Sequence, residues 1–255
     1  MDLEAYIREQ RARREILLMT HIVIGYPSLD QNIETVATMV RAGVELIELQ
    51  IPFSDPMADG PQISYANEQA LARRTSVSQC FELAAHLTSS HNIPFLLMTY
   101  INIALRGGPE QFVARMRAAR IAGAIFPDCP LEEGDELFGL MKRQNISPIL
   151  IVAPTTSPER MAMLGSRSEG FLYVTARTGV TGHGTRFSEE TACYLERCRR
   201  ATPLPTAVGF GVRGRGDVTF LRGKSDIAIL GTSAMEVAKG GGNAVLESFL
   251  RELRS

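Results

Sequence analysis

Two carboxylates, Glu48 and Asp59, bracket the segment that runs from Leu49 through Pro52, Phe53, Ser54, Asp55 and Pro56 to Ala58. Val44 to Leu49 reads as a short apolar strand, and Gly43 before it ends a helix. Strand side chains alternate between faces, so Leu46, Glu48 and Gln50 share one side while Ile47, Leu49 and Ile51 share the other. An acid on the interior side of an apolar strand is costly to bury unless it is paired or used. Taken alone, Glu48 reads equally well as a strand-end acid that reaches solvent. The loop behind it decides. Pro52, Pro56 and Pro61 stiffen a run ending in Asp59-Gly60, which holds a second carboxylate near the first.

Other chemistry-bearing residues gather after later apolar runs. Thr99-Tyr100-Ile101-Asn102 closes one run and Pro127-Asp128-Cys129-Pro130 another. A third ends at Tyr173-Val174-Thr175 and leads into a long loop rich in Gly and Thr, from Arg177 through Thr181 and Gly182 to Thr185. Such a loop suits closure over a ligand. Gly182, Gly209-Phe210-Gly211 and Gly231-Thr232-Ser233 follow three successive runs. Backbone N–H groups bind phosphate best where no side chain blocks approach and where a helix begins. Each glycine alone reads equally as a tight turn; three sets in successive loops favour phosphate. Asp128, between two prolines, reads first as a loop-stabilising or interface residue. Tyr173 packs a barrel mouth or lies against a flat apolar substrate.

The elements that must position these residues alternate from end to end. Strand-like runs occupy 17–24, 44–51, 94–99, 123–126, 148–152, 170–175, 206–210 and 226–230, several of them continuously apolar, as parallel strands covered on both faces are. Helical signals lie between. Ser28 to Gln31 fits a capping box, Ser157-Pro158-Glu159 a capped helix start, and Ser188-Glu189-Glu190 another. Eight such units in 255 residues predict an α/β fold, a (β/α)8 barrel, with an extra N-terminal helix over residues 2–14 as a plug at its bottom. Periodicity does not show closure, so a doubly wound open sheet is the other architecture. No linker divides the chain, which reads as a single domain over 1–255. Lys239-Gly240-Gly241-Gly242 reads as a flexible turn before a terminal helix over 244–253.

Composition narrows the function. A formal net charge of -1 without a long basic run argues against nucleic acid, and no apolar run reaches membrane-spanning length. The four cysteines lack zinc spacing and read as reduced thiols of a cytoplasmic protein, and the four histidines are scattered, so no metal site is expected.

The motif from Glu48-Leu49 through Ile51-Pro52-Phe53-Ser54-Asp55-Pro56 to Ala58-Asp59-Gly60-Pro61 resembles that of the tryptophan synthase α subunit. The likeness extends to Gly25-Tyr26-Pro27, Thr99-Tyr100 with Asn102, Pro127-Asp128 with Pro130, Arg177 to Gly182, and Gly209-Phe210-Gly211. The resemblance implies a TIM barrel that cleaves indole-3-glycerol phosphate to indole and glyceraldehyde 3-phosphate in tryptophan biosynthesis. It also implies a β-subunit partner in an α2β2 heterotetramer. The pyridoxal phosphate would sit on that partner, and this chain would carry no cofactor or metal. On the resemblance, Glu48 is the catalytic glutamate and Asp59 the loop aspartate. Tyr173 is the aromatic beside the indole, Thr181 the threonine of the sixth loop, and Gly182, Gly211 and Gly231 the phosphate glycines. Tyr100, Phe210 and Thr232 complete the expected substrate contacts. The ungapped register from Asp226 puts Gly231-Thr232 on the family's Gly-Ser pair, while the alternative puts Thr232 on the glycine.

Four positions depart from the family pattern. His21 replaces Phe or Tyr, Val23 a common Thr, Gln50 a Gly, and Ser64 a frequent Gln. His21 and Gln50 would add polar bulk near the acid. A free-standing lyase and a weakly active subunit that mainly activates a β subunit are the alternatives. Intact Glu48 and Asp59 count against the second.

Overall fold

In the computed structural model, which describes residues 1–176, 187–209 and 211–254, nine parallel strands form one sheet. They are β1 (Leu17–Val23), β2 (Leu46–Gln50), β3 (Phe95–Met98), β4 (Gly123–Ile125), β5 (Ser147–Ile149), β6 (Ile151–Val152), β7 (Leu172–Thr175), β8 (Thr206–Gly209) and β9 (Ile227–Leu230). Their spatial order is β5-β4-β3-β2-β1-β9-β8-β7-β6, with the two end members adjacent in sequence. The expected fifth strand is thus recorded as two short pieces, one pairing with β4 and the other with β7. They are one stave. Ile149 and Ile151 face one side while Leu150 and Val152 face the other, so the alternation runs unbroken through the gap. Pro148, which has no N–H to give a ladder, lies within this stave. The Leu150 carbonyl accepts from Tyr173 N at 3.0 Å, and with that bond the ring of eight staves closes as a (β/α)8 barrel.

The described helices are α1 (Leu3–Arg11), α2 (Leu29–Arg41), α3 (Pro61–Ala72), α4 (Val77–Ser90), α5 (Ile101–Arg106), α6 (Pro109–Ala118), α7 (Leu131–Arg143), α8 (Pro158–Arg167), α9 (Glu189–Ala201), α10 (Arg215–Leu221) and α11 (Thr232–Glu252). Strand parity sorts the apolar residues into two layers. Leu17, Met19, Leu46, Leu96, Ile125, Ala207 and Ile227 fill the barrel, while Leu18, Ile47, Leu49, Leu97, Val174, Val208 and Ala228 pack outward against helices. Burial on both faces explains why the staves read as continuous apolar runs.

The N-terminal helix plugs the barrel, as expected. Leu3 and Ile7 of α1 are buried among the interior residues, and a Cβ on Gly170 would strike Leu3 Cδ2 at 2.6 Å. The bottom is therefore solid, and the open end is the one where the strands finish.

Two local expectations change. Ser28 accepts from Gln31 N at 3.2 Å, but no reciprocal bond completes a capping box, whereas α9 has both halves through Ser188 and Thr191. The glycine run 240–242 is not a free turn. Gly240 and Gly241 end one helical piece and Gly242, at φ 69° and ψ -171°, leaves helical geometry, so α11 is two helical pieces that meet at Gly242, the second close to the expected terminal helix.

Candidate active site

At the open end lies a cavity of about 390 Å³. Glu48, Asp59, Tyr173, Gly211, Gly231 and Thr232 all line it, from five separate stretches of chain. Of the other expected contacts, Thr181, Gly182 and Phe210 lie outside the described residues. Tyr100 stands behind Asp59 instead of on the cavity wall.

Glu48 comes from the interior side of β2, in register with His21 of β1. His21 Nδ1 and Glu48 Oε1 are 2.6 Å apart, with His21 3% and Glu48 5% exposed. Glu48 Oε2 and His21 Nε2 are buried without a hydrogen-bond partner. Burial alone would lower the His21 pKa. The hydrogen bond and charge of Glu48, helped by the Asp59 charge, outweigh it and hold the imidazole above its ordinary value.

Asp59 reaches the same cavity from the loop after β2. That loop is folded tightly on itself, with Asp59 N donating to Pro56 O at 2.9 Å and Met57 N to Asp55 O at 2.8 Å. Asn67 on α3 ties it down by accepting from Phe53 N at 2.9 Å. Gln50 Nε2 donates to Asp59 Oδ2 at 2.7 Å, and Tyr100 OH donates to the same oxygen at 3.1 Å. Tyr100 OH also accepts from Ala58 N at 3.0 Å, and its ring stacks on Phe53 at 5.1 Å. Burial raises the Asp59 pKa against the opposing pull of Gln50, His21 and Tyr100. The two polar departures therefore divide their work: His21 engages Glu48, and Gln50 engages Asp59.

Tyr173 on β7 lies across from this pair. A Cβ on Gly209 would come 2.6 Å from its hydroxyl, so Gly209 makes the room the ring occupies. Burial, then the charges of Glu48 and Asp59, push its pKa far above the ordinary phenol, which keeps it neutral.

Gly211 and Val212 after β8 and the first turn of α11 supply another part of the lining. Ser233 Oγ donates to Val212 O at 3.0 Å and ties the two together. Gly231 caps α11 without any side-chain cap bond, so the first N–H groups of a long helix open toward the cavity. A Cβ on Gly231 would meet only His21 Cβ, at 3.8 Å.

Sequence reading missed the apolar walls Met98, Ile125, Ile151 and Ile229, which barrel parity at the strand ends would have marked. It also missed Arg213, which lines the cavity next to Val212. Asp128 is explained structurally: its carboxylate accepts from Ile101 N at 2.9 Å and caps α5. Val23 packs on Ile63, Ala66 and Ala70 of α3, and Ser64 Oγ donates to Asp59 O at 3.4 Å. Among the described residues no group of side chains has the makings of a metal site, and no helix is long and apolar enough to cross a membrane.

The family model described as "Tryptophan synthase alpha chain" matches residues 7–244. A tryptophan synthase alpha chain of Desulforapulum autotrophicum is 52% identical over 98% of this chain and 99% of its own length. That of Syntrophotalea carbinolica is 50% identical over 99% of this chain and 100% of its own. Among solved structures, Mycobacterium tuberculosis tryptophan synthase superposes with a TM-score of 0.92 at 29% identity, covering 99% of this chain and 96% of the other. The tryptophan synthase subunit alpha of Legionella pneumophila gives 0.90 at 26% identity, covering 100% and 97%. The chain belongs to the tryptophan synthase alpha chain family.

Proposed function

We propose that Glu48 is the acid–base group, and Asp59 its electrostatic partner, in the lyase reaction of this family: cleavage of indole-3-glycerol phosphate to indole and glyceraldehyde 3-phosphate. The chain is the α subunit of tryptophan synthase, in tryptophan biosynthesis. One observation supports the assignment above others. Two buried carboxylates, Glu48 on β2 and Asp59 in the loop that follows it, line one cavity together with the N-terminus of α11, which no side chain caps.

The cleavage is a retro-aldol step. The indole C3 takes a proton, the neighbouring hydroxyl gives one up, and the carbon–carbon bond between them breaks as the hydroxyl oxygen becomes the aldehyde. The proton count closes on a carboxylate alone, and Glu48 is placed to serve both ends. Positive charge builds on the indole nitrogen during protonation. Asp59, accepting that N–H, stabilises it inside a buried site where charge is weakly screened. Met98, Ile125, Ile151 and Tyr173 offer a flat apolar slot for the ring, and the first turn of α11 with Gly211 offers N–H groups to the phosphate. Thr181, Gly182 and Phe210 belong to the same proposal as loop and phosphate contacts.

The rest of the assignment follows the family. The partner is a β subunit in an α2β2 assembly that carries the pyridoxal phosphate. This chain works as one barrel domain without a cofactor, in the cytoplasm. A second reading, a lyase that needs no partner, draws on one feature: Gln50 and Tyr100 already orient Asp59 in the single chain.

Glu48→Gln tests the core claim. Turnover of indole-3-glycerol phosphate should fall about 10²–10⁴-fold while substrate still binds. Near-normal turnover would make Glu48 a structural acid and end the assignment.

A further inference from the structure

His21 stands where the family pattern has an aromatic ring, and nothing in the reaction as described so far uses it. Its imidazole is interior to the barrel, in register with Glu48 and 2.6 Å from Glu48 Oε1. A carboxylate on a flexible stem has several rotamers, and only some would face the reacting carbon. The His21 contact occupies one carboxylate oxygen, leaving Oε2 buried with no partner of its own. A buried, unsatisfied oxygen on a group that lines the cavity calls for a partner, and the substrate hydroxyl is one of matching chemistry.

We propose that His21 is a positioning residue for the cleavage step: its Nδ1–H fixes Glu48 through Oε1, so that Oε2 is the oxygen that exchanges protons with the substrate. In this chain the working carboxylate is thus oriented by a neighbouring strand. An aromatic side chain at position 21 would only wall the site. The backbone of β1 holds His21 firmly, since Met19, His21 and Val23 are all ladder-paired to β2, and the Gly231 side offers room beside its Cβ. The inference rests on the reading of Glu48 as the acid–base group.

The test compares His21→Leu with His21→Asn in the full chain, assayed on indole-3-glycerol phosphate with and without a β subunit and well below each variant's melting temperature. Asn carries an amide N–H at the position of Nδ1; Leu carries none. Misplacing a catalytic group by an ångström costs up to about 10²-fold, so His21→Leu should lower kcat about 10–100-fold, with KM moving by less than about 3-fold. His21→Asn should recover most of the kcat. An independent reading uses the unmutated chain: the His21 Nδ1 proton should resonate far downfield, as expected of a 2.6 Å contact, and move upfield in Glu48→Gln. Unchanged kcat in His21→Leu, or an Asn variant as slow as the Leu one, overturns the positioning role. Retained turnover in Glu48→Gln instead overturns the reading beneath it, so the two failures are distinguishable.

Discussion

At the scale of single residues, the site sets two buried carboxylates in the lining of one cavity. The pKa of Asp59 is raised, chiefly by burial, so the folded chain binds its proton more tightly than the unfolded chain does. By linkage, the stability tied to this group is fully present below the ordinary aspartate value and is lost as pH rises through the folded value. Once ionised, Asp59 is therefore a cost that the fold carries. Asp59→Asn should remove it, because an amide can still accept from Gln50 and Tyr100. We expect the melting temperature at pH 7 to rise by about 2–4 °C, the shift that ~1 kcal/mol produces in a chain of this size, with the gain shrinking toward pH 4. Cleavage should nearly vanish at the same time. A variant less stable than the parent at neutral pH would mean that Gln50 and Tyr100 more than compensate the buried charge. The presence of this pair was legible in sequence, because an acid interrupting an apolar strand and a proline-stiffened loop are local signals. Its wiring was not. The partners His21 and Glu48 lie on different strands, and Asp59 is held by Gln50 of β2 and by Tyr100 from the turn after β3, contacts that are set only when the sheet forms.

At the scale of elements, the staves were legible because each is apolar on both faces, and the barrel interior followed from the period-two alternation of residues such as Leu46, Glu48 and Gln50. The interrupted fifth stave was not, since Pro148 inside an apolar run does not say where pairing changes sides. At the glycine run 240–242 the expected break narrows to Gly242, because glycine permits a turn without requiring one at every position. In the proposed function, the element that matters most for binding is the N-terminus of α11. Gly231 has an ordinary φ of -83° and space for a Cβ, so Gly231→Val should fold while its side chain stands over the first N–H groups. Losing charge-assisted bonds to phosphate should raise KM about tenfold or more, with little change in kcat. Gly211, at φ +124°, is a poorer test because any side chain there strains the backbone. Equal affinity of the parent chain for phosphorylated and dephosphorylated substrate would remove α11 from the phosphate assignment.

At the scale of the whole molecule, the barrel is closed at one end by α1 and open at the other, where the cavity and the loop that carries Asp59 lie. That loop is the natural route of communication with a partner. Met57, 78% exposed, lies two positions before that aspartate, and Ala58 between them is held by the same Tyr100 hydroxyl that donates to Asp59. A partner covering Met57 would stiffen a segment whose inner end already grips the catalytic pair, and closure over the site would exclude water. Turnover of the isolated chain should therefore be slow and should rise several-fold when a β subunit is added. Met57→Asp should leave the isolated rate nearly unchanged, since the side chain points away from the cavity lining, while weakening the response to the β subunit. Titrating indole release against β-subunit concentration for both proteins separates the effects: a right-shifted curve with the same starting rate is expected for the variant. If the parent chain ran at full speed and ignored the β subunit, the hold of Gln50 and Tyr100 on Asp59 would be sufficient by itself, and the free-standing lyase would be the better description.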